Sequence, residues 1–560
     1  MVTRIDRRSL LKHAALAGGG MAVLPWLPAW AQPVSSGLTA PIPTLAGTDI
    51  ALRIARQTMT IDGQPSPAIG INGTVPAPLL RLKQGTTVRF SVTNDLNESS
   101  SVHWHGILLP PDMDGVPGVS FPGIAPRSTF VYEFPIKQAG TYWYHSHTGL
   151  QEQLGHYGPI VIDPEGPDPV GYDREHVIVL SDHSEMDPHE IMRKLKQDSD
   201  YFDYQKQTLA SLLAGRDQPL KERLRWAEMR MSPTDISDVT GAAYTYLVNG
   251  HGPADNWTAL FAPGERVRLR LINASAMTTF NVRIPGLPMT IVQADGQDVR
   301  PVETDEIQIA VAETYDAIVT PRSNGAYTLV GEALDRSGMA RATLAPRAGM
   351  TANVPPLRER PLATMKDMGM SMPMSAGMKG MGSGGMASMD HSGMAGMNGQ
   401  SGGGDMSMNM RDASKAPQVV MGPGVQTISP MPVDRTGERG EGLADVKHRV
   451  LVYRDLIARD RNPDLRRPSR ALDIHLTGNM ERYMWSFDGV KQSDTTAPIP
   501  FRKDERVRIT LINDTMMGHP IHLHGHFFEL VTGHSDHAPR KHTVMVQPGG
   551  TVTFDLTANV

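Results

Sequence analysis

Residues 71–95 read INGTVPAPLLRLKQGTTVRFSVTND, and the chain repeats this pattern twice: LVNGHGPADNWTALFAPGERVRLRLINAS at 247–275 and, more loosely, WSFDGVKQSDTTAPIPFRKDERVRITLINDT at 485–515. Each copy has an Asn-Gly or Asp-Gly turn, an intervening segment, a Gly or Asp turn, a Val-x-Phe/Leu/Ile strand and a closing Asn. Copies so far apart are not the roughly 20–50-residue period of a solenoid, so they indicate three homologous β-domains. The surrounding sequence agrees. TVRFSVTND (87–95), STFVYEFPI (128–136) and GTYWYHSH (140–147) alternate apolar and polar residues between Gly, Pro and Asn breakers, as short strands do.

A chain of 560 residues exceeds what one hydrophobic core usually supports. Its net charge of −5 gives no sign of a polyanion-binding surface, so nucleic acid is not the expected partner. Three counts are unusual: 33 Met, 20 His and no Cys. The last excludes disulfides, thiolate zinc sites and thiol catalysis within these residues. At the N-terminus, Arg7-Arg8 precedes Ser9-Leu10-Leu11-Lys12, a short apolar run broken by Pro25 and Pro28, and Ala29-Trp30-Ala31. That is the layout of a twin-arginine export signal over residues 1–31, and it predicts a mature protein in the periplasm that uses the twin-arginine machinery.

The first β-domain is expected over 45–165 and the second over 170–345. Within the second, residues 185–230 have helical periodicity and few strand formers, so they read as a helical insertion. Residues 350–415 read as a low-complexity linker and 416–560 as a third β-domain. The linker's 365–410 stretch holds 14 of the Met together with His391; with Gly and Ser making up most of the rest, it should bury no core and be disordered.

Histidine supplies the chemistry. His103-Trp-His105 and His145-Ser-His147 are i, i+2 pairs, and alternate strand residues point to one face, so each pair presents two imidazoles together. Two such strands side by side bring four ring nitrogens to one metal cluster. A single HxH is more often a pair of exposed or hydrogen-bonded histidines than a ligand pair. A third pair, His522-Leu-His524, makes the metal reading the better one. His519 lies three residues before His522, an odd offset that turns it to the opposite side and toward a different site. Imidazole suits copper, zinc or iron; the thioethers of the Met-rich stretch favour copper, with Cu(I) bound there. Core filling is the ordinary use of Met, but a Gly/Ser/Met tract has no core to fill.

These motifs resemble those of the multicopper oxidases, and within them the periplasmic copper-resistance group. HWHG, HSH, HPxHLHG, the export signal, the helical insertion and MDHSGM-type Met repeats are shared over essentially the whole chain. The resemblance implies three cupredoxin-like Greek-key β-barrels. It implies that His103 and His522 hold type 2 copper, that His105, His145, His147 and His524 hold type 3 copper, and that His519 is a type 1 ligand. It also implies that Asp114, in MDGVPG, helps deliver protons to the cluster. The family's fourth motif, HCHxxxHxxxM, supplies the type 1 Cys and Met and two more type 3 His; it does not occur in these 560 residues. The expectation is therefore a C-terminally shortened copy, its third barrel lacking a closing strand, with an incomplete type 1 site and impaired turnover.

Three functions compete. The first is a copper-dependent oxidase that uses Cu(I) or a small phenol as reductant and O2 as acceptor. The second is a copper sequestration protein without oxidase turnover, and the third a scaffold that has lost its metal. Seven clustered imidazoles have no purpose in a pure scaffold. A monomer is expected.

Overall fold

The computed structural model describes residues 39–370, 410–495 and 497–559. The export signal at 1–31 and most of the Met-rich stretch, 371–409, lie outside the described residues. Strands make up most of the regular structure, and the α-helices among the described residues, Pro188–Gln197, Leu209–Leu213 and Leu220–Glu228, fall in the segment read as a helical insertion. Asp187 caps the first of these through a 2.8 Å bond from the His189 N–H, and Pro188 opens it. Among the described residues, no helix is long and apolar enough to cross a membrane.

The triplicated sequence becomes a triplicated sheet. Thr87–Asn94 runs parallel to Asp49–Ile61 and antiparallel to Thr129–Pro135. Val267–Asn273 lies likewise between Arg174–His183 and Thr314–Val319, and Arg506–Asn513 between Arg470–Asn479 and Gly550–Thr557. The closing Asn has a physical reason. Asn94, Asn273 and Asn513 are fully buried, and each side-chain amide donates to two backbone carbonyls beyond its strand: Glu98 and Ile124, Thr278 and Ile309, Met517 and Val546. Each side-chain oxygen accepts an N–H two residues on, from Leu96, Ser275 or Thr515. A buried amide that bonds in both directions stitches each strand's exit loop to the second layer of its barrel.

The three units have separate apolar cores. One is built around Phe90, Trp104 and Phe134, the second around Leu269, Phe280 and Leu329, and the third around Leu511, Phe528 and Phe554. The second layer differs among them. In the first unit, His103–His105 joins a five-stranded sheet through Gly140–His145, which pairs in turn with Tyr157–Asp163. In the second, Phe280–Arg283 pairs with both Tyr327–Ala333 and Glu306–Ile309. In the third, among the described residues, the corresponding strand His519–His522 pairs only with Thr543–Val546.

One expectation needs correction. The described flanks of the Met-rich stretch do bury side chains. Residues 365–370 form turns, Met370 bridges to Met431, and Met368 is 2% exposed. Composition of the tract alone missed this because the partners are distant in sequence: Trp226 and Ile236 from the helical insertion, and Met480, Met516 and Met517 from the third unit.

Candidate metal centre

Register explains why the first two His pairs meet. His103 sits directly opposite His145 across the antiparallel ladder, and His105 opposite Trp143. The two HxH pairs are thus staggered along one face, with His147 just past the strand end. The third pair approaches from the other unit: the His522 ring stacks on His105 with centroids 3.7 Å apart, and the His524 ring lies 4.1 Å from His103. Ligand nitrogens of His103, His105 and His522 all lie within 4.8 Å of one another, and so do those of His103, His147 and His524. His103, His105 and His145 are buried; His147 is exposed at the rim.

Hydrogen bonds fix which nitrogen faces inward. His103 Nδ1–H donates to the Asp114 carbonyl at 2.8 Å, and His522 Nδ1–H to the His542 carbonyl at 2.7 Å. In both rings Nε2 is buried and without a hydrogen-bond partner. His105 is the reverse case: its Nε2 contacts the Thr543 hydroxyl at 3.2 Å, and its Nδ1 faces His145 Nε2 at 3.4 Å. His145 Nδ1 is held by Glu152 at 3.0 Å, and His524 Nδ1 by Asp114 Oδ2 at 2.7 Å. Backbone carbonyls, carboxylates and a hydroxyl thus hold the outward nitrogens and leave the inward lone pairs to a cation, the usual outer-shell pattern of metal-bound imidazole.

The electrostatics agree. Burial pushes the His103, His105, His145 and His522 imidazoles below their ordinary value of 6.5, and their mutual repulsion adds to it. His147 reaches solvent at the rim, yet desolvation on its inward side and repulsion from His145, His103 and His524 bring it to about 2. The rings are therefore neutral at pH 7, as metal ligation requires. Asp114 does the opposite. Burial alone would raise its carboxyl, but the imidazoles of His103 and His524 hold it below the usual carboxylate range. It remains an anion that bridges an imidazole of the first unit to an imidazole of the third.

His519 lies apart from these groups. Its Nε2 meets the Thr515 hydroxyl at 2.7 Å and its ring lies 4.7 Å from that of Trp485. Trp485 belongs to a cluster with nine methionines: Met229, Met231, Met365, Met368, Met370, Met410, Met480, Met516 and Met517. The seven histidines therefore separate into a convergent group of six and His519, beside Trp485 at the edge of the methionine cluster.

An eighth imidazole had no motif to announce it. His542 is fully buried, its ring is 4.9 Å from that of His105 and 5.4 Å from that of His522, and its Nε2 is without a partner. Gly106, in HWHG, makes room for it: at φ +80°, a Cβ there would lie 2.5 Å from the His542 ring. Thr543 and Glu152 were equally silent, being single polar residues whose partners lie elsewhere in the sequence.

The same architecture appears in known proteins. Models of the multicopper oxidase family match residues 53–167, 174–352 and 466–560. The chain belongs to the multicopper oxidase family, a class of copper-dependent oxidoreductases. It is 47% identical to copper resistance protein A of Escherichia coli, with 100% of this chain and 96% of that protein covered. Identity to the copper resistance protein A homolog of Pseudomonas syringae pv. tomato is also 47%, over 100% of this chain and 95% of that protein. A laccase structure from Botrytis aclada shares the fold at 20% identity, with a TM-score of 0.59, 94% of this chain and 88% of that chain covered.

Copper is thus the cofactor of the family, and the donor set fits it. Six convergent imidazoles, two of them with buried, unpartnered Nε2 atoms, suit a borderline metal of this kind. No thiolate exists in the 560 residues, so within them a type 1 site is incomplete.

Proposed function

We propose that the protein is a periplasmic copper-resistance oxidase whose reductant is Cu(I) rather than a phenol. The observation that carries this reading is the nine-methionine cluster that includes Trp485, whose ring lies 4.7 Å from that of His519, because thioethers select Cu(I) among available ions. Filling a core is the ordinary use of Met, but nine in one cluster beside a candidate ligand exceed that need. When bound, copper supplies one-electron chemistry, taking electrons from the reductant and passing them to O2. The chain's own residues supply the frame. His103 and His522 would hold type 2 copper, and His105, His145, His147 and His524 the type 3 pair. Asp114, ionised and bonded to His524, is placed to accept and return a proton at its carboxylate. His519 is a type 1 ligand without a thiolate among these residues, so O2 turnover by the 560 residues on their own is impaired.

Copper analysis with an oxygen electrode separates the readings. Several coppers bound per chain, with little oxygen uptake on adding Cu(I) and no intense blue absorption, are expected. Rapid oxygen consumption by this chain would overturn the impairment; no bound copper would leave only a scaffold.

A further inference from the structure

The second unit contributes no imidazole to the centre, yet it reaches the ligands through one buried peptide. Asp295, on a tight turn of that unit, is fully buried at φ +49°. Its Oδ2 accepts the backbone N–H groups of His542 at 3.2 Å and Thr543 at 3.1 Å, and pairs with Lys541 Nζ at 3.0 Å. Lys541, also fully buried, pairs with Glu313 Oε1 at 3.1 Å. Glu313 in turn accepts the Tyr453 hydroxyl at 2.7 Å, and that oxygen accepts the Met545 N–H at 2.9 Å. Residues 541–545 are therefore clamped along their length. The clamped segment is the one that carries the His542 carbonyl on His522 Nδ1 and the Thr543 hydroxyl on His105 Nε2.

Resting on the metal-centre reading above, we propose that Asp295, Lys541 and Glu313 form a positioning device. Through it, the second unit sets the ring orientation of the copper ligands His105 and His522, which belong to the first and third units. A buried ion triad is a costly way to join two domains, and apolar packing of equal volume often does as well or better. What the ions add is direction: a carboxylate that accepts two successive N–H groups beside a lysine head fixes the 541–542 and 542–543 peptides, and with them the His542 carbonyl aimed at His522 and the Cα that carries the Thr543 hydroxyl toward His105. Groups that hold metal ligands from outside in this way typically contribute roughly 10- to 100-fold to metal affinity.

The test compares Asp295→Ala, Thr543→Val, Thr543→Ser and Glu332→Gln with the wild-type chain. Glu332 supplies a control, since this buried carboxylate of the second unit pairs with the half-buried Arg358 and touches none of the six convergent imidazoles. Each protein is loaded with Cu(II) and read by copper titration, by electron paramagnetic resonance of the bound Cu(II), and by apo-protein melting. Asp295→Ala and Thr543→Val are expected to weaken copper binding roughly 10- to 100-fold and to change the Cu(II) hyperfine splitting. Thr543→Ser should restore both, and Glu332→Gln should lower the apo melting temperature with an unchanged spectrum. Thr543→Val removes only a hydroxyl, so it decides the matter if Asp295→Ala does not fold. Wild-type affinity and spectrum in Thr543→Val and in any folded Asp295→Ala would overturn the positioning role alone. A wild-type chain that shows no imidazole-bound Cu(II) would take the metal-centre reading down with it.

Discussion

At the scale of single residues, the centre depends on which ring nitrogen is free. His103→Ala and His522→Ala each delete an inward Nε2, and each should lose imidazole-bound copper in a titration while the apo-protein stays folded. Acid should act through the same rings. Their folded pKa values lie below the unfolded value of 6.5, with burial holding His542 and His519 at about 4. The unfolded state therefore binds more protons than the folded state below pH 6.5. Above that pH these groups carry no penalty; stability should fall progressively from about pH 6.5 down to the folded values, as apo melting measured between pH 7 and 4 would show. The convergence of the His pairs was legible in the sequence because HxH spacing is a local signal. His542 was not, since an isolated His in KHTV looks like any other, and only the Cβ-free Gly106 opposite it reveals the fit.

At the scale of elements, the His strands need their aromatic partners. Trp104 points away from its flanking histidines into the core, 1% exposed and stacked on Phe90 with ring centroids 4.4 Å apart. Trp104→Ala should cost about 3–5 kcal/mol in chemical denaturation. Copper affinity should fall with it, because the strand His103–His105 is short and, among the described residues, has its ladder on one edge only. The methionine cluster separates packing from chemistry. Replacing Met516 and Met517 by Leu conserves volume and should cost less than about 1.5 kcal/mol each. Cu(I) affinity in a competition assay should nevertheless drop; unchanged Cu(I) binding would reduce the cluster to core filler. The repeat visible at 71–95, 247–275 and 485–515 made the element order readable, and its closing Asn marks the residue that ties the layers together. The packing of Met365 and Met368 onto the helical insertion was hidden, because contacts made across domains leave no periodicity in either segment.

At the scale of the molecule, the centre exists only where units meet. The first unit supplies four imidazoles and Asp114, the third supplies His522 and His524, and the second clamps the peptide behind them. Sequence reasoning reached the first two contributions through motifs. It missed the third because Asp295 and Lys541 are 246 positions apart and neither lies in a pattern. A copper-loaded protein should accordingly melt as a more cooperative assembly than the apo form, since a ligand that bridges domains stabilises only the docked state.

The central claim, that imidazoles from the first and third units hold one copper centre, is tested most directly by electron paramagnetic resonance of the chain loaded with Cu(II). The expected spectrum shows nitrogen superhyperfine structure from imidazole that disappears both in His103→Ala and in His522→Ala, without an intense blue absorption. A wild-type spectrum without nitrogen coupling, or one unchanged by either substitution, would contradict it.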